Sequence, residues 1–507
     1  MGAEFSSPVH RGPTAETRGA VFCVLLCPYD KVRILHAPQE VEDLVVRVTK
    51  SIDSRGGAVQ LPSKEKLGAT QIKMASGWLF TTGNGKQAAT LGKQLCLELL
   101  QELHKFGWDL ELSSDLARSR HQASTLFFRK NSVERAGARV VCVAPGKQDS
   151  LTLLNHDDRV KTAVLEAIAE AWPHGIQESG DTEVLGLTMH DVKMRGRPWF
   201  NAEDDINGTR IICKIIGKLS GLGLRLAAGI DIKGGTDSLF FIEDPSFRRT
   251  EFCAISLCKS DRLRMVDCKD LCPSVEQVIQ ANQYHVQDKS VREHHAKLRL
   301  NGYPWRCSGY ESVKSRQLIS RISERLLREG WALTDALDNS RREDDKSILL
   351  YRRCLPTSGR FSCICLTSTD HLRLIDFPPG DLEVLAKAVT QNYAPGITKS
   401  DSTAEPSSLK LSLAGLPWSH PGGTGLGWAL HARSMLLHLL DASFQLGYRP
   451  AVSADVSAKY ATDGDGNPDY PLDVHTIYLV RLDQQQQQQQ DPNAPPSYDM
   501  AMGMSPS

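Results

Sequence analysis

One pattern occurs four times along this chain of 507 residues and constrains its fold more than any other feature. The phrases ASGWLFTTG, RGRPWFNAE, NGYPWRCSG and AGLPWSHPG contain tryptophans that are 121, 106 and 113 residues apart. Apolar residues at i, i+3, i+4 and i+7 follow each phrase, which predicts an amphipathic helix. A period of this length predicts several copies of one folding unit. The tryptophans are Trp78, Trp199, Trp305 and Trp418.

Two further positions recur at fixed places in each copy. Each predicted second helix ends at a glycine, where helix C-termini commonly need a residue with positive φ. An aspartate lies eight residues beyond each glycine, near the end of the next strand, and its expected role is to stabilise a turn or loop. The glycines are Gly107, Gly223, Gly330 and Gly447, and the aspartates are Asp115, Asp231, Asp338 and Asp455.

The order of elements within a copy predicts the fold class. Two β-rich runs joined by a short turn come first, and a helix, a strand, a second helix and two strands follow. The predicted fold is therefore α+β, with four tandem ββαβαββ repeats whose antiparallel sheets are each covered by two helices. The predicted repeats span residues 19–131, 137–245, 249–354 and 359–482, after a disordered N-terminus at 1–18.

Read from the strand that precedes the tryptophan, the order becomes β-α-β-β-β-β-α. This order resembles the half-repeat of the TATA-binding-protein (TBP) fold, a curved antiparallel sheet with helices on one side. In that frame residues 19–56 and 409–482 would pair and bring the two ends of the molecule together. The G-x-P-W and G-W-x-L phrases are also similar to uncharacterised eukaryotic repeat proteins, and this resemblance implies no activity.

The tryptophans themselves have two possible roles. The expected one is a core position between sheet and helices, where the indole N–H can still find a hydrogen-bond partner. The alternative is a shared surface on which ligands stack.

Composition excludes some classes of protein. Lys and Arg together number 60, as do Asp and Glu, so the chain lacks the basic excess of a dedicated nucleic-acid binder. The thirteen cysteines mostly lie in apolar runs such as FCVLLC, which is typical of reduced thiols in a reducing compartment. The longest apolar run, AVFCVLLC, is far shorter than a membrane span. The expected location is the cytoplasm, with the nucleus and the membrane periphery as alternatives.

No signature of a nucleotide site, hydrolase or metalloenzyme is present. Asp463, Asp465 and Asn467 alternate as in a calcium loop, but Pro468 stands where an EF-hand needs glycine, so an acidic hairpin inserted in the fourth repeat is expected. No polar cluster that one repeat has and the others lack stands out. The chain is therefore predicted not to be an enzyme and to hold no cofactor or metal.

The C-terminal segment, residues 483–507, contains seven consecutive glutamines and is predicted to be disordered. Within it Pro495, Pro496 and Tyr498 match P-P-x-Y, which resembles the ligands of WW domains. That resemblance implies a WW-domain partner, with ubiquitin ligases and signalling adaptors as candidates. An unused Pro-rich tail is the alternative.

At the other end, Gly2 follows Met1, and Ser6 completes a possible N-myristoylation motif. One myristoyl chain would give only weak, reversible membrane anchoring. Together these features predict a non-enzymatic intracellular repeat scaffold or adaptor that recruits a WW-domain partner through its PPSY segment. The alternative is a ligand- or nucleic-acid-binding protein that uses the sheet faces of the repeats.

Overall fold

The fold consists of four similar units, each with a six-stranded antiparallel sheet and two long helices. This arrangement confirms the predicted α+β class and the four tandem repeats. The structure, a computed structural model, describes residues 20–27, 30–53, 63–64, 66–74, 85–116, 124–131, 137–199, 205–232, 236–338, 346–403, 407–418, 425–457, 460–462, 468–471 and 473–483.

Units 1 and 2 have the same order of elements, ββαββαββ. Unit 1 contains β1 (Val21–Cys27), β2 (Lys31–Leu35), α1 (Gln39–Asp53), β3 (Ser63–Lys64), β4 (Thr70–Lys73), α2 (Lys86–Lys105), β5 (Trp108–Ser114) and β6 (Thr125–Lys130). Unit 2 contains β7 (Val140–Gly146), β8 (Ser150–Leu154), α3 (Asp158–Ala171), β9 (Ile176–Val184), β10 (Leu187–Met194), α4 (Asp205–Ser220), β11 (Leu224–Ile230) and β12 (Ser238–Glu243).

Units 3 and 4 follow the same order, and unit 4 adds a short hairpin before its last strand. Unit 3 contains β13 (Phe252–Cys258), β14 (Arg262–Val266), α5 (Cys272–Ala281), β15 (Val286–Val291), β16 (His295–Leu300), α6 (Gly309–Arg328), β17 (Trp331–Leu337) and β18 (Ile348–Arg353). Unit 4 contains β19 (Gly359–Thr367), β20 (His371–Ile375), α7 (Pro379–Asn392), β21 (Ile397–Thr403), β22 (Ser408–Leu413), α8 (Leu426–Gln445), β23 (Arg449–Ala454), β24 (Tyr460–Thr462), β25 (Pro468–Pro471) and β26 (Asp473–Leu482).

Numbered within a unit, the six sheet strands lie in the order 3-4-2-1-6-5. The sequence predicted five strands per unit. The additional strand is the third in chain order, and it lies at the outer edge of the sheet. In β9 residues 177–181 are all exposed, because this strand has one hydrogen-bonded neighbour and only its ends, Ile176 and Val184, reach a hydrophobic core. An edge strand of this kind lacks the apolar alternation from which strands are predicted.

Strand pairing stays within each unit. β1 pairs with β2 and with β6 of its own unit. The expectation that residues 19–56 pair with residues 409–482 is therefore wrong as a statement about strands. The two ends of the repeat region do meet, but through side-chain packing.

Each sheet is buried on both faces because the helices of the preceding unit cover its second face. In β1, Phe22 and Val24 pack on the helices of unit 1, whereas Cys23 and Leu25 pack in a core formed mainly by unit 4. The same alternation places β7 between the helices of units 1 and 2, β13 between those of units 2 and 3, and β19 between those of units 3 and 4. The four units therefore close into a ring of alternating sheets and helix layers, and doubly buried strands explain runs as apolar as VFCVLLC.

The fifth strands of the units, β5, β11, β17 and β23, contact one another around the axis of this ring. The axis is tightly packed. A Cβ atom added to Gly229 would lie 2.3 Å from Leu337 of the next unit. Ser114 and Ser453 form a hydrogen bond of 2.7 Å between their Oγ atoms, which joins unit 1 to unit 4.

All thirteen cysteines lie in the described residues and are free thiols, eleven of them buried. No described helix combines the length and the apolar character needed to cross a bilayer.

Candidate functional site

The repeated glycines and aspartates bracket the fifth strands that surround the ring axis. Gly107, Gly223, Gly330 and Gly447 all have positive φ, between 74° and 85°, directly after the second helix of their unit. Each aspartate directly follows the last residue of its fifth strand, so that all four lie at the same end of the axis. The four aspartates, which are regularly spaced in the sequence, are therefore brought to one end of the ring in the folded chain.

At this axial end, neighbouring units bond reciprocally through the backbone of the repeated aspartates. The backbone carbonyl of Asp231 accepts from the backbone N–H of Ser124 at 2.9 Å, and the Asp231 N–H donates to the Ser124 Oγ at 3.1 Å. Asp455 and Ser347 repeat this pair at 3.2 and 2.9 Å.

The other two interfaces vary this arrangement. Between units 2 and 3, Asp237 occupies the serine position. Its N–H donates to the Asp338 carbonyl and its Oδ2 accepts from the Asp338 N–H, both at 2.7 Å. Between units 4 and 1, the Asp115 N–H donates instead to Nδ1 of His475 at 3.4 Å, beside the Ser114–Ser453 bond. The repeated aspartates therefore lie at all four interfaces of the ring.

Burial and the nearness of other carboxyl groups raise the pKa of two aspartates at this end of the axis. Burial raises the pKa of Asp115 to about 7; the nearby Asp455 adds to the rise, while the hydrogen bond from Ser124 opposes it. Burial also raises the pKa of Asp237 well above its usual value, with the carboxylates of Asp338 and Asp231 adding to the effect. Among the described residues no group of three or more His, Cys, Asp or Glu side chains could hold a metal ion. The backbone of the repeated aspartates joins the units, and burial keeps the carboxyl groups of Asp115 and Asp237 protonated to a higher pH than usual.

Three of the four repeated tryptophans are fully buried. Their indole N–H groups donate to equivalent backbone carbonyls at the start of the second strand of their unit: Trp199 to Ser150, Trp305 to Arg262 and Trp418 to His371, at 2.9, 3.0 and 3.2 Å. These contacts fix the loop after the fourth strand against the first hairpin. Trp78 lies outside the described residues.

A residue with positive φ after the second strand contacts the preceding unit at three of the four interfaces. Asp267 meets Arg210 and Lys214 at 3.2 and 3.6 Å, all at the interface of units 2 and 3. Asp376 meets Gln317 and Arg321 at the equivalent positions between units 3 and 4. Sequence reasoning missed these pairs because the partners belong to different units and are about 55 residues apart.

One polar group is confined to a single unit. His156, His190 and Asp181 lie together in unit 2, and apolar or small residues occupy the two histidine positions in the other units. No polar cluster confined to one unit was expected from the sequence, and these three residues show that this expectation is wrong. His156 and His190 are 34 residues apart, so no local spacing could reveal their contact.

The terminal motifs cannot be placed in this fold. Pro495, Pro496 and Tyr498 of the PPSY segment, the glutamine tract and Gly2 all lie outside the described residues. The acidic sequence after Asp463 lies between β24 and β25, which pair as a short hairpin inserted in unit 4.

A family model for an uncharacterised domain matches the chain four times, at residues 20–129, 139–242, 251–352 and 360–480. Each match coincides with one six-stranded sheet and its helices. Comparison with curated proteins and with solved structures found no match.

Proposed function

This chain belongs to the family defined by that uncharacterised domain, which it carries in four tandem copies, and we propose that it is a non-enzymatic intracellular scaffold. In this proposal the ring of four units is a rigid body. The segment Pro495-Pro496-Ser497-Tyr498 recruits a partner that contains a WW domain, and WW-containing ubiquitin ligases are one such class.

The observation that carries this proposal is the way the chain leaves the ring. β26 lies between β19 and β23, ends at Leu482, and is followed by Asp483, whose N–H bonds to the Ser358 carbonyl at 3.0 Å. The fourth sheet and its packing on unit 1 are therefore complete before the PPSY segment begins.

Chain length favours an accessible motif. Pro495 comes twelve residues after Asp483, and a stretch of that length can span at most about 40 Å when extended. This reach is enough for a WW domain to bind without meeting the ring.

The alternative, ligand or nucleic-acid binding on the sheet faces, has less support. The central strands of every unit are buried on both faces, so they present no open sheet surface among the described residues.

The proposal is tested by titrating a purified WW domain that binds P-P-x-Y peptides into the full-length chain. We expect Tyr498→Ala to weaken binding at least tenfold, because the tyrosine fills a groove of its own on WW domains. Ser497→Ala is the matched control, since P-P-x-Y leaves this position open. Equal binding by the unchanged chain and by Tyr498→Ala would contradict the proposal, as would no binding by either.

A further inference from the structure

Two histidines of unit 2 bring together ring nitrogens to which no other described side chain bonds. His156 lies between β8 and α3, His190 lies on β10, and their ring centroids are 5.8 Å apart at an interplanar angle of 71°. Both ring nitrogens of His156 and Nε2 of His190 are shielded from solvent and bond to no other side chain among the described residues, while the Asp157 backbone lies against the His156 ring. Buried polar atoms are nearly always bonded, so three such atoms in one place indicate a ligand.

Asp181 prepares His190 for such a ligand. Its Oδ1 lies 2.6 Å from Nδ1 of His190, directly opposite in the pairing of β9 with β10. A carboxylate in this position holds the proton on Nδ1 and leaves the lone pair of Nε2 free. The His190 side chain is 6% exposed and that of Asp181 is 53% exposed, so the pair joins a buried imidazole to a solvent-facing carboxylate.

The other units do not build this group. The residue equivalent to His190, paired with the same position of the second strand, is Thr70 in unit 1, Ala296 in unit 3 and Leu409 in unit 4. The residue equivalent to His156 is Ala37, Cys268 or Phe377. The fold therefore closes this corner with apolar or small side chains elsewhere, and the two histidines are not required by the architecture.

We propose that His156 and His190 bind a divalent transition-metal ion such as Zn²⁺, with Asp181 orienting His190 from behind. Two imidazoles on one zinc ion, at N–Zn distances of about 2.0–2.1 Å, have ring centroids about 5–6 Å apart, which matches the observed separation. Since the described residues offer no complete set of three ligands, water or an external group fills the remaining positions.

The test is calorimetric titration of Zn²⁺ into the full-length chain after treatment with a chelator. We expect one saturable site per chain, which His156→Gln and His190→Gln each abolish. Asp181→Asn should weaken zinc binding about 10- to 100-fold while leaving both ligands in place, because it removes only the carboxylate behind His190. His294→Gln, which changes a partly exposed histidine of unit 3, is the matched control and should bind zinc like the unchanged chain.

A second measurement guards against variants that fail to fold. Zinc should raise the melting temperature of the unchanged chain and of His294→Gln but not that of His190→Gln. Absence of saturable binding would overturn the proposal. Binding that is the same in all variants would also overturn it, since it would assign the ion to other groups such as the cysteine thiols.

Discussion

The interface between units 3 and 4 and the one between units 4 and 1 have the same architecture but different chemistry. Between units 3 and 4, Asp376 accepts hydrogen bonds from Gln317 at 2.6 Å and Arg321 at 3.0 Å. At the equivalent positions of the closing interface, His36 meets Ser434 at 2.8 Å and lies edge-on to His438, with ring centroids 5.4 Å apart. At these positions, the Arg321–Asp376 ion pair of one interface is replaced by the imidazoles of His36 and His438 in the other.

The two interfaces also differ at their centres. Arg316 of α6 is buried and bonded to the Ser312 carbonyl and the hydroxyls of Ser315 and Thr476. At the same helix position in unit 4, Arg433 is fully buried, bonds only to the Ala429 carbonyl, and has no partner for Nε or Nη2 among the described residues. Burial lowers the pKa of Arg433 to about 10.

These differences show that the closing interface relies on polar contacts at other positions. Arg129 of unit 1, which is buried, lies 2.9 Å from Asp441 of unit 4 and stacks over Phe444. Units 1 to 4 follow one another along the chain, whereas units 1 and 4 meet across its whole length. The core of Cys23, Leu25 and Phe127 against α8 is as well buried as the others.

The largest expected effect comes from Phe127→Ala. Phe127 is 1% exposed and lies in the core shared with unit 4, so its truncation should lower the free energy of unfolding by about 3–5 kcal/mol. Urea denaturation measures this change. Leu355→Ala, at a residue 75% exposed, is the control and should change stability by less than about 0.5 kcal/mol. A similarly small effect of Phe127→Ala would mean that unit 4 does not cover this face.

A smaller effect of opposite sign is expected from Arg433→Met. Replacing this buried charge, which has one hydrogen bond to a carbonyl, by an apolar side chain of similar length should stabilise the fold by about 1–4 kcal/mol. Arg316→Met removes three hydrogen bonds and should lower stability instead. Thermal melts of the two variants compare the interfaces directly, and a loss of stability in both would show that Arg433 is satisfied.

The smallest effect concerns the pH dependence of Asp115. Its pKa of about 7 in the folded state lies above the usual value of 3.8. The stability that this carboxyl contributes is therefore complete below about pH 4 and is lost as the pH rises through 7. Asp115→Asn should raise the melting temperature by a few degrees above about pH 7 and leave it unchanged near pH 4. A shift of the same size at every pH would assign the effect to hydrogen bonding alone, and Asp288→Asn on exposed β15 is the control.

Much of the unit was predictable because its signals are local. Helix periodicity, the capping glycines and the turn aspartates depend on residues close together in sequence, and four copies at matching offsets removed the ambiguity of any one copy. The outer third strand was missed because exposure on both faces leaves no apolar pattern.

The ring and the histidine pair could not be predicted, since both depend on contacts between distant residues. Phe22 and Cys23 point towards the helices of different units, but a run of apolar residues does not show which helices cover each face. His156 and His190 meet only because β8 and β10 are neighbours in the sheet. The aspartates were expected to stabilise turns within a unit, and their bonds to the next unit became visible only when the ring was closed.

Closure of the ring is tested most directly by a disulfide between units 1 and 4. The Oγ atoms of Ser114 and Ser453 are 2.7 Å apart, so a chain with Ser114→Cys and Ser453→Cys should form an intramolecular disulfide under mild oxidation, detected as linked peptides by mass spectrometry. A chain with Ser114→Cys and Ser290→Cys, whose second site lies on the outer strand β15, should form none. Failure of the first pair to link, with both thiols open to alkylation in the folded chain, would contradict the closed ring.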